Sequence, residues 1–293
     1  MSENEALFAK FRPGSSETIT TPEGCWTNFL GLHTRTDLFP NAEALKGRYI
    51  PDLPLQGDGV YGPAAEYAAL LTAIDARGTD RASFSAIELG AGWGPWISGA
   101  GIVCKRLGFK RINLVGVEAD RVKVARMEDH LATNGLMQEP VHCRILQGAA
   151  WHKDTTVFFP QNLPIPDYGG AATTQQSGTD YRGFNIPTDT TPAYSLAAIC
   201  RDLERVDFAH WDVQGAEWEI ADKSRELIDA RMHHVFIGTH SRKIEGNLLG
   251  LFFELGWDLL RHDPCHYEYD RTKRSLEAMT LNDGHMFFRN PRF

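Results

Sequence analysis

Residues 85–95 read Ser85-Ala86-Ile87-Glu88-Leu89-Gly90-Ala91-Gly92-Trp93-Gly94-Pro95. The first five are a short apolar strand, and glycines at every second position follow it at once. Glycine adopts backbone conformations closed to other residues and lets the chain approach a ligand without a Cβ in the way. Pro95 then opens a stretch to Leu107 with apolar residues at helical spacing, proline being suited to the first helical position. A strand that turns through glycines into a helix aims the helix N-terminus at whatever fills the crevice above it.

The same alternation continues outward in both directions. Before it, residues 63–76 have helical spacing behind a proline. After it come a β-branched strand at 112–117, a helix at 122–134 closed by Asn134-Gly135, and a strand at 141–146. A helix at 195–203, a strand at 208–213, a helix at 216–228, a strand at 233–238 and a helix at 244–255 complete the series, with closing strands at 257–260 and 285–289. Strands alternating with helices predict an α/β fold with a doubly wound, mostly parallel sheet and helices on both faces. Ligands of such sheets bind beyond the carboxyl ends of the strands, where the winding reverses. Residues 160–192, rich in Pro, Gly, Gln and Thr, predict a long loop of the kind that serves function. Residues 1–60 show little periodicity beyond short helices at 5–11 and 41–46. They read as an N-terminal extension on a main domain of residues 61–293, serving as a lid, an oligomer contact or an acceptor-selecting element.

With 293 residues, 42% of them hydrophobic and 23% charged, the chain has a globular balance that excludes disorder, collagen and coiled coil. A net charge of −8 and a basic run confined to 271–274 point away from nucleic acid. The five cysteines (25, 104, 143, 200, 265) are scattered and contain no Cys-x-x-Cys, as suits a reducing compartment. The polar start, MSENEALFAKFRP, lacks a signal-peptide core, and the uncharged run from Leu89 to Cys104 is too short and glycine-broken to span a bilayer. These features predict a cytoplasmic protein with a small-molecule partner and no membrane span.

Two nucleotide patterns are tested by the glycine segment. A dinucleotide fingerprint would place a third glycine at 95, where Pro95 stands. No Gly-x-x-x-x-Gly-Lys-Ser/Thr occurs, so a P-loop is excluded. What remains, Glu-x-Gly-x-Gly-x-Gly, resembles motif I of class I S-adenosylmethionine-dependent methyltransferases. A carboxylate at 88 would repel a pyrophosphate but attract an ammonium and a sulfonium. The resemblance implies a Rossmann-like class I methyltransferase fold, S-adenosyl-L-methionine as cofactor, and Glu88, Gly90, Gly92 and Trp93 at its border. The second strand ends in Gly116-Val117-Glu118-Ala119-Asp120, where an acid can accept both ribose hydroxyls. Glu118 stands where class I methyltransferases carry their ribose-binding acid, a device that NAD enzymes share. Asp120 is placed to cap the following helix. At the end of the third strand, Gln147-Gly148-Ala149-Ala150 leaves room for an adenine, with Ala149 at its edge.

The segment Asp212-Val213-Gln214-Gly215-Ala216-Glu217 resembles the D-x-Q-G-A-E segment of the FkbM family of methyltransferases, and the likeness extends over about residues 60–262. The family's usual Lys-Ile/Phe before the motif is replaced by His210-Trp211. The resemblance implies methylation of a hydroxyl on a small molecule, sugar or other glycan, or natural product. Asp212 ends a buried strand and can bind the methionine moiety, orient the acceptor or hold a metal. Glu217 falls in the first turn of the next helix, where its charge suits the dipole. His240 follows the fifth strand, and imidazole is well matched to taking a proton near neutral pH. His240 is thus the first candidate for general base and Asp212 the second, although many family members carry Glu near 240. A divalent ion between Asp212 and His240 is the other route to an activated hydroxyl. Elsewhere no metal is expected: His262, Cys265 and His266 lack a second ligand pair. Trp96, Tyr61 and Trp211 read as core or crevice wall. Two other classes remain, an NAD(P)-dependent oxidoreductase, opposed by Pro95, and a non-catalytic binding protein, opposed by the acids at 88, 118 and 212.

Overall fold

The structure is a computed structural model that describes every residue except 1–2, 15–17, 40–41, 53–63, 165–166, 180–183 and 274. Tyr61, Pro63 and Arg274 therefore lie outside the described residues, as does Asn41 at the start of an expected short helix.

Strand β1, Ser83–Leu89, is buried on both faces because its side chains serve two cores. Phe84 and Ala86 join one apolar cluster, Ile87 and Leu89 the other. The same even and odd split divides Leu114 from Val115 in β2 (Arg111–Glu118). After β3 (Val141–Gln147) it recurs as Phe208 against Ala209 in β4 (Val206–Trp211) and Phe236 against Ile237 in β5 (Met232–Thr239). With β6 (Asp258–Asp263) and β7 (Gly284–Arg289) these strands form one seven-stranded sheet of order β6-β7-β5-β4-β1-β2-β3. Strands β1 to β5 run parallel, while β7 is antiparallel to both β5 and β6. Winding reverses between β1 and β4, as a doubly wound sheet requires.

The helices are α1 (Glu3–Lys10), α2 (Ala64–Asp75), α3 (Pro95–Arg106), α4 (Arg121–Thr133), α5 (Glu217–Lys223), α6 (Arg225–Arg231) and α7 (Arg242–Glu254), besides one turn at Leu196–Ile199. The helix expected at 195–203 is only that turn: Ser195 Oγ accepts from Ala198 N at 3.2 Å, and the chain leaves helical geometry at Cys200. The helix expected at 216–228 divides at Ser224, which closes α5 and opens α6. The expected loop at 160–192 is bounded by strands. Thr155–Pro160 pairs antiparallel with Thr188–Tyr194, which also pairs with Ala149–Ala150. Thr and Pro in these strands conceal the alternation that sequence reasoning seeks.

Described parts of the extension share the core of the main domain. Phe8, Phe11, Trp26, Phe29 and Leu32 belong to the same apolar cluster as the inner faces of α2 and α3. Arg106 donates to the carbonyls of Leu30 (2.6 Å) and Phe11, and the Asn134 side chain bonds both backbone groups of His33. Among the described residues, no helix is long and apolar enough to cross a membrane.

One buried group of this core has a titration consequence. His130 in α4 meets the edge of Trp93 at 4.7 Å, and neither ring nitrogen has a hydrogen-bond partner among the described residues. Burial pushes its pKa down to about 3. Because the folded value lies below the ordinary 6.5, this residue's contribution is complete above pH 6.5 and is lost as pH falls. His130→Leu is expected to flatten the acid loss of stability by about 1.4 kcal/mol per pH unit between pH 6 and 4. Denaturant midpoints of both proteins across that range check this, and parallel slopes would mean that His130 carries its charge in the folded state.

Candidate active site

The carboxyl ends of β1, β2, β3 and β4 border a crevice of about 280 Å³. Its floor is set by register. Glu88 in β1 lies opposite Gly116 in β2 and His210 in β4, so Glu88, Glu118, His210 and Asp212 share one face of the sheet. Gly90, at φ +71°, is where β1 and β4 diverge: a Cβ there would lie 1.8 Å from the carbonyl oxygen of Asp212. The contact is fixed because Asp212 N donates to Leu89 O at 2.9 Å.

Glu88 closes the helix that follows the glycines. Its Oε2 accepts from Trp96 N (3.1 Å) and Ile97 N (2.9 Å), donors that would otherwise be orphaned at the start of α3. Burial pushes its pKa up to about 8, against the opposing pull of His210 and those two amides. Glu118 is held similarly: Oε2 accepts from Gly92 N and Oε1 from Asp120 N, each at 2.7 Å. Burial raises its pKa too, with Lys123 opposing. Each Glu118 oxygen takes one of these bonds and Glu88 takes both of its on Oε2, so lone pairs remain on both Glu118 oxygens and on Glu88 Oε1 for a ligand. Asp120 caps α4 through Val122 N (2.8 Å), and its other oxygen accepts from Leu163 N (2.8 Å).

The end of β4 is a tight knot. Gln214 stands at φ +52°, unusual for a residue with a side chain, and its amide donates to Asp212 Oδ1 at 2.9 Å. Glu217 is fully buried and accepts from Val213 N (3.3 Å), Gly215 N (3.1 Å) and His240 Nδ1 (2.7 Å). The other nitrogen of His240 meets Asp212 Oδ1 at 3.1 Å. Burial opposes charge on His240, but Glu217 and Asp212 outweigh it and hold the imidazole pKa well above its ordinary value. Burial likewise works to raise the pKa of Asp212, and the His240 imidazolium more than offsets it.

Sequence reasoning made His240 the first candidate for general base and Asp212 the second, and the structure brings the two within 3.1 Å of each other. His240 is absent from the crevice wall, and an imidazolium engaged at both nitrogens has no lone pair to take a proton. It holds Asp212 in place. Asp212 itself lines the crevice with its side chain 44% exposed. Every residue expected at the cofactor border, Glu88, Gly90, Gly92, Trp93, Glu118, Ala149 and Asp212, lies on the crevice wall.

Several wall residues were missed. Lys123, in the first turn of α4, bonds the carbonyl of Asp167 and lies 4.7 Å from the ring of Tyr168. Tyr168, from the expected loop, approaches Gly92, and Phe39 of the extension faces Trp93 at 5.7 Å and Tyr168 at 6.3 Å. Glu66 meets His210 Nε2 at 3.3 Å. Its signal was available: it is the lone acid before the final residue of an otherwise apolar α2.

The sheet order, the reversal between β1 and β4 and the antiparallel β7 define a class I methyltransferase fold. No family model matches the chain. It is 28% identical over 277 residues, 93% of this chain and 94% of the relative, to a protein of Jannaschia sp. (strain CCS1) described as "Putative methyltransferase". Among solved structures it is similar to methyltransferase FkbM from Methylobacillus flagellatus KT (15% identity, 70% of this chain and 43% of that chain, TM-score 0.41). It is also similar to the C-terminal domain of precorrin-6Y C5,15-methyltransferase from Rhodobacter capsulatus (14% identity, 80% and 91%, TM-score 0.43).

Proposed function

We propose that the chain is an S-adenosylmethionine-dependent methyltransferase of the FkbM type, acting on a hydroxyl of a small molecule, sugar or natural product. The observation that carries this reading is one crevice lined at once by the glycine turn, Glu118 at β2, Ala149 at β3 and Asp212 at β4. The acids at the ends of β2 and β4, Glu118 and Asp212, suit a cationic donor, and the FkbM assignment rests on Asp212 to Glu217. The residues fit that donor. Glu118 has lone pairs left for a ribose, and Gly148, Ala149 and Ala150 border the space for an adenine with little side-chain bulk.

S-adenosylmethionine supplies an electrophilic methyl when bound; the chain's residues align and exclude water. Asp212, steadied by Gln214 and His240, accepts the hydrogen bond of the acceptor hydroxyl and orients its oxygen. Phe39 and Tyr168 bring the extension and the 160–192 segment to the crevice wall. We place the protein in the cytoplasm, where five free thiols stay reduced.

Calorimetry with S-adenosylhomocysteine tests the donor. Glu118→Ala is expected to weaken binding roughly ten- to a hundredfold, the worth of charge-assisted bonds to a ribose. Unchanged affinity in a folded variant would remove Glu118 from the site, and no binding by the native protein at millimolar ligand would end the reading. Release of S-adenosylhomocysteine from a panel of hydroxylated sugars and polyketides then identifies the acceptor.

A further inference from the structure

Lys123 lines the crevice but takes no part in the chemistry above. It stands in the first turn of α4 and is only 4% exposed. That is a costly place for an ammonium, because water is excluded and the helix dipole presents its positive end there. A lysine so placed has to be compensated. Its partners include the carboxylate of Glu118, the carbonyl of Asp167 and the ring of Tyr168, whose centroid lies 4.7 Å from Nζ.

Asp167 and Tyr168 belong to a stretch pinned on both sides of them. Before them, the Gln161 side chain bonds Ala119 O (3.0 Å) and Arg121 N (3.2 Å), and Leu163 N donates to Asp120 Oδ2 (2.8 Å). After them, Thr173 and Phe158 exchange backbone bonds of 2.8 and 2.9 Å. Between these anchors Lys123 reaches both the Asp167 carbonyl and the Tyr168 ring. The ring lies on the glycine turn: its Cε1 is 3.3 Å from where a Cβ of Gly92 would stand. Gly92 N is also the donor that holds Glu118 Oε2. Tyr168 therefore roofs the end of β2, with Phe39 of the extension 6.3 Å away.

We propose that Lys123 is a positioning residue that latches Tyr168 over the crevice, and that the methyl donor enters and leaves when this latch opens. This rests on the donor reading above. The contacts of the latch lie within the chain and need no donor to form, so it restrains entry as well as exit. A side chain that merely touched a bound ligand would slow its exit alone. Methionine has the length of lysine but can neither bond the carbonyl nor attract the ring. Arginine keeps the charge, the donors and the affinity for an aromatic face.

The test is stopped-flow tryptophan fluorescence with S-adenosylhomocysteine, which yields the association and dissociation rates separately. Lys123→Met is expected to raise both rates about tenfold, the worth of a desolvated cation–π contact and a charge-assisted bond, while affinity changes by less than about threefold. Lys123→Arg should keep both rates within about threefold of the native protein. Tyr168→Leu removes the roof without touching the helix and should accelerate both rates as Lys123→Met does. It carries the test should Lys123→Met fail to fold. Faster dissociation with unchanged association would make Lys123 an ordinary ligand contact and overturn the proposal. So would unchanged rates in Lys123→Met or Tyr168→Leu, or rates in Lys123→Arg as fast as in Lys123→Met. If the native protein binds no S-adenosylhomocysteine at millimolar levels, the donor reading itself falls, a result distinct from binding whose rates ignore the latch.

Discussion

Gly90→Ala is expected to destabilise the protein by about 4 kcal/mol or more, enough to leave much of a marginally stable domain unfolded. Two causes act together. The added Cβ would stand 1.8 Å from the carbonyl oxygen of Asp212, a backbone atom tied into the β1–β4 ladder by its own N–H to Leu89 O. The φ of +71° would also have to be adopted by an L side chain. Neither strand can retreat cheaply, since Leu89 and Trp211 are fully buried beneath the turn. Gly178→Ala is the control, because nothing lies within 4 Å of its would-be Cβ and its φ is unexceptional. Denaturant titration of the pair measures the difference. A loss below about 1 kcal/mol for Gly90→Ala would show that the turn can relax, and that the glycine serves ligand approach alone.

This position illustrates what a reading of sequence can and cannot supply. The glycine spacing announced a turn between strand and helix, and the turn is there. That the glycine at 90 answers to the carbonyl of Asp212, 122 positions later in the chain by number, follows only from register between strands. The acids behave likewise. Glu88 and Glu118 were legible as strand-end carboxylates, and both line the crevice. Their bonds to the amides of Trp96, Ile97, Gly92 and Asp120 are set by local turns that a residue pattern does not encode. Sequence reasoning treated His240 by its chemistry alone. Its chemistry is decided by Glu217 and Asp212, which reach it from the preceding strand end and helix. Glu66 and His210 were passed over for the matching reason, since their meaning lies in a contact spanning 144 positions.

The strongest consequence of that knot concerns Glu217. Replacing it with Ala removes the acceptor for Val213 N, Gly215 N and His240 Nδ1, and leaves the buried imidazolium with Asp212 and the more distant Asp283 (4.0 Å) as its carboxylates. Breaking a buried charge pair from one side costs about 3–5 kcal/mol, and unpaired amides add to it. Glu217→Gln keeps an acceptor of the same shape without the charge, so it should cost less than Glu217→Ala. The pH dependence separates charge from shape. Because the folded pKa of His240 lies well above its ordinary 6.5, the stability it contributes is complete below pH 6.5 and is lost as pH rises toward the folded value. The difference between native protein and Glu217→Gln should therefore be largest near pH 6 and shrink as pH is raised. Denaturant midpoints at pH 6, 7.5 and 9 read this directly. A difference that stays flat across that range would mean His240 is neutral in the fold, which would restore its lone pair and reopen its candidacy as the base. A shrinking difference ties the fixed position of Asp212, and so the alignment of an acceptor hydroxyl, to a charge carried two residues behind the crevice wall.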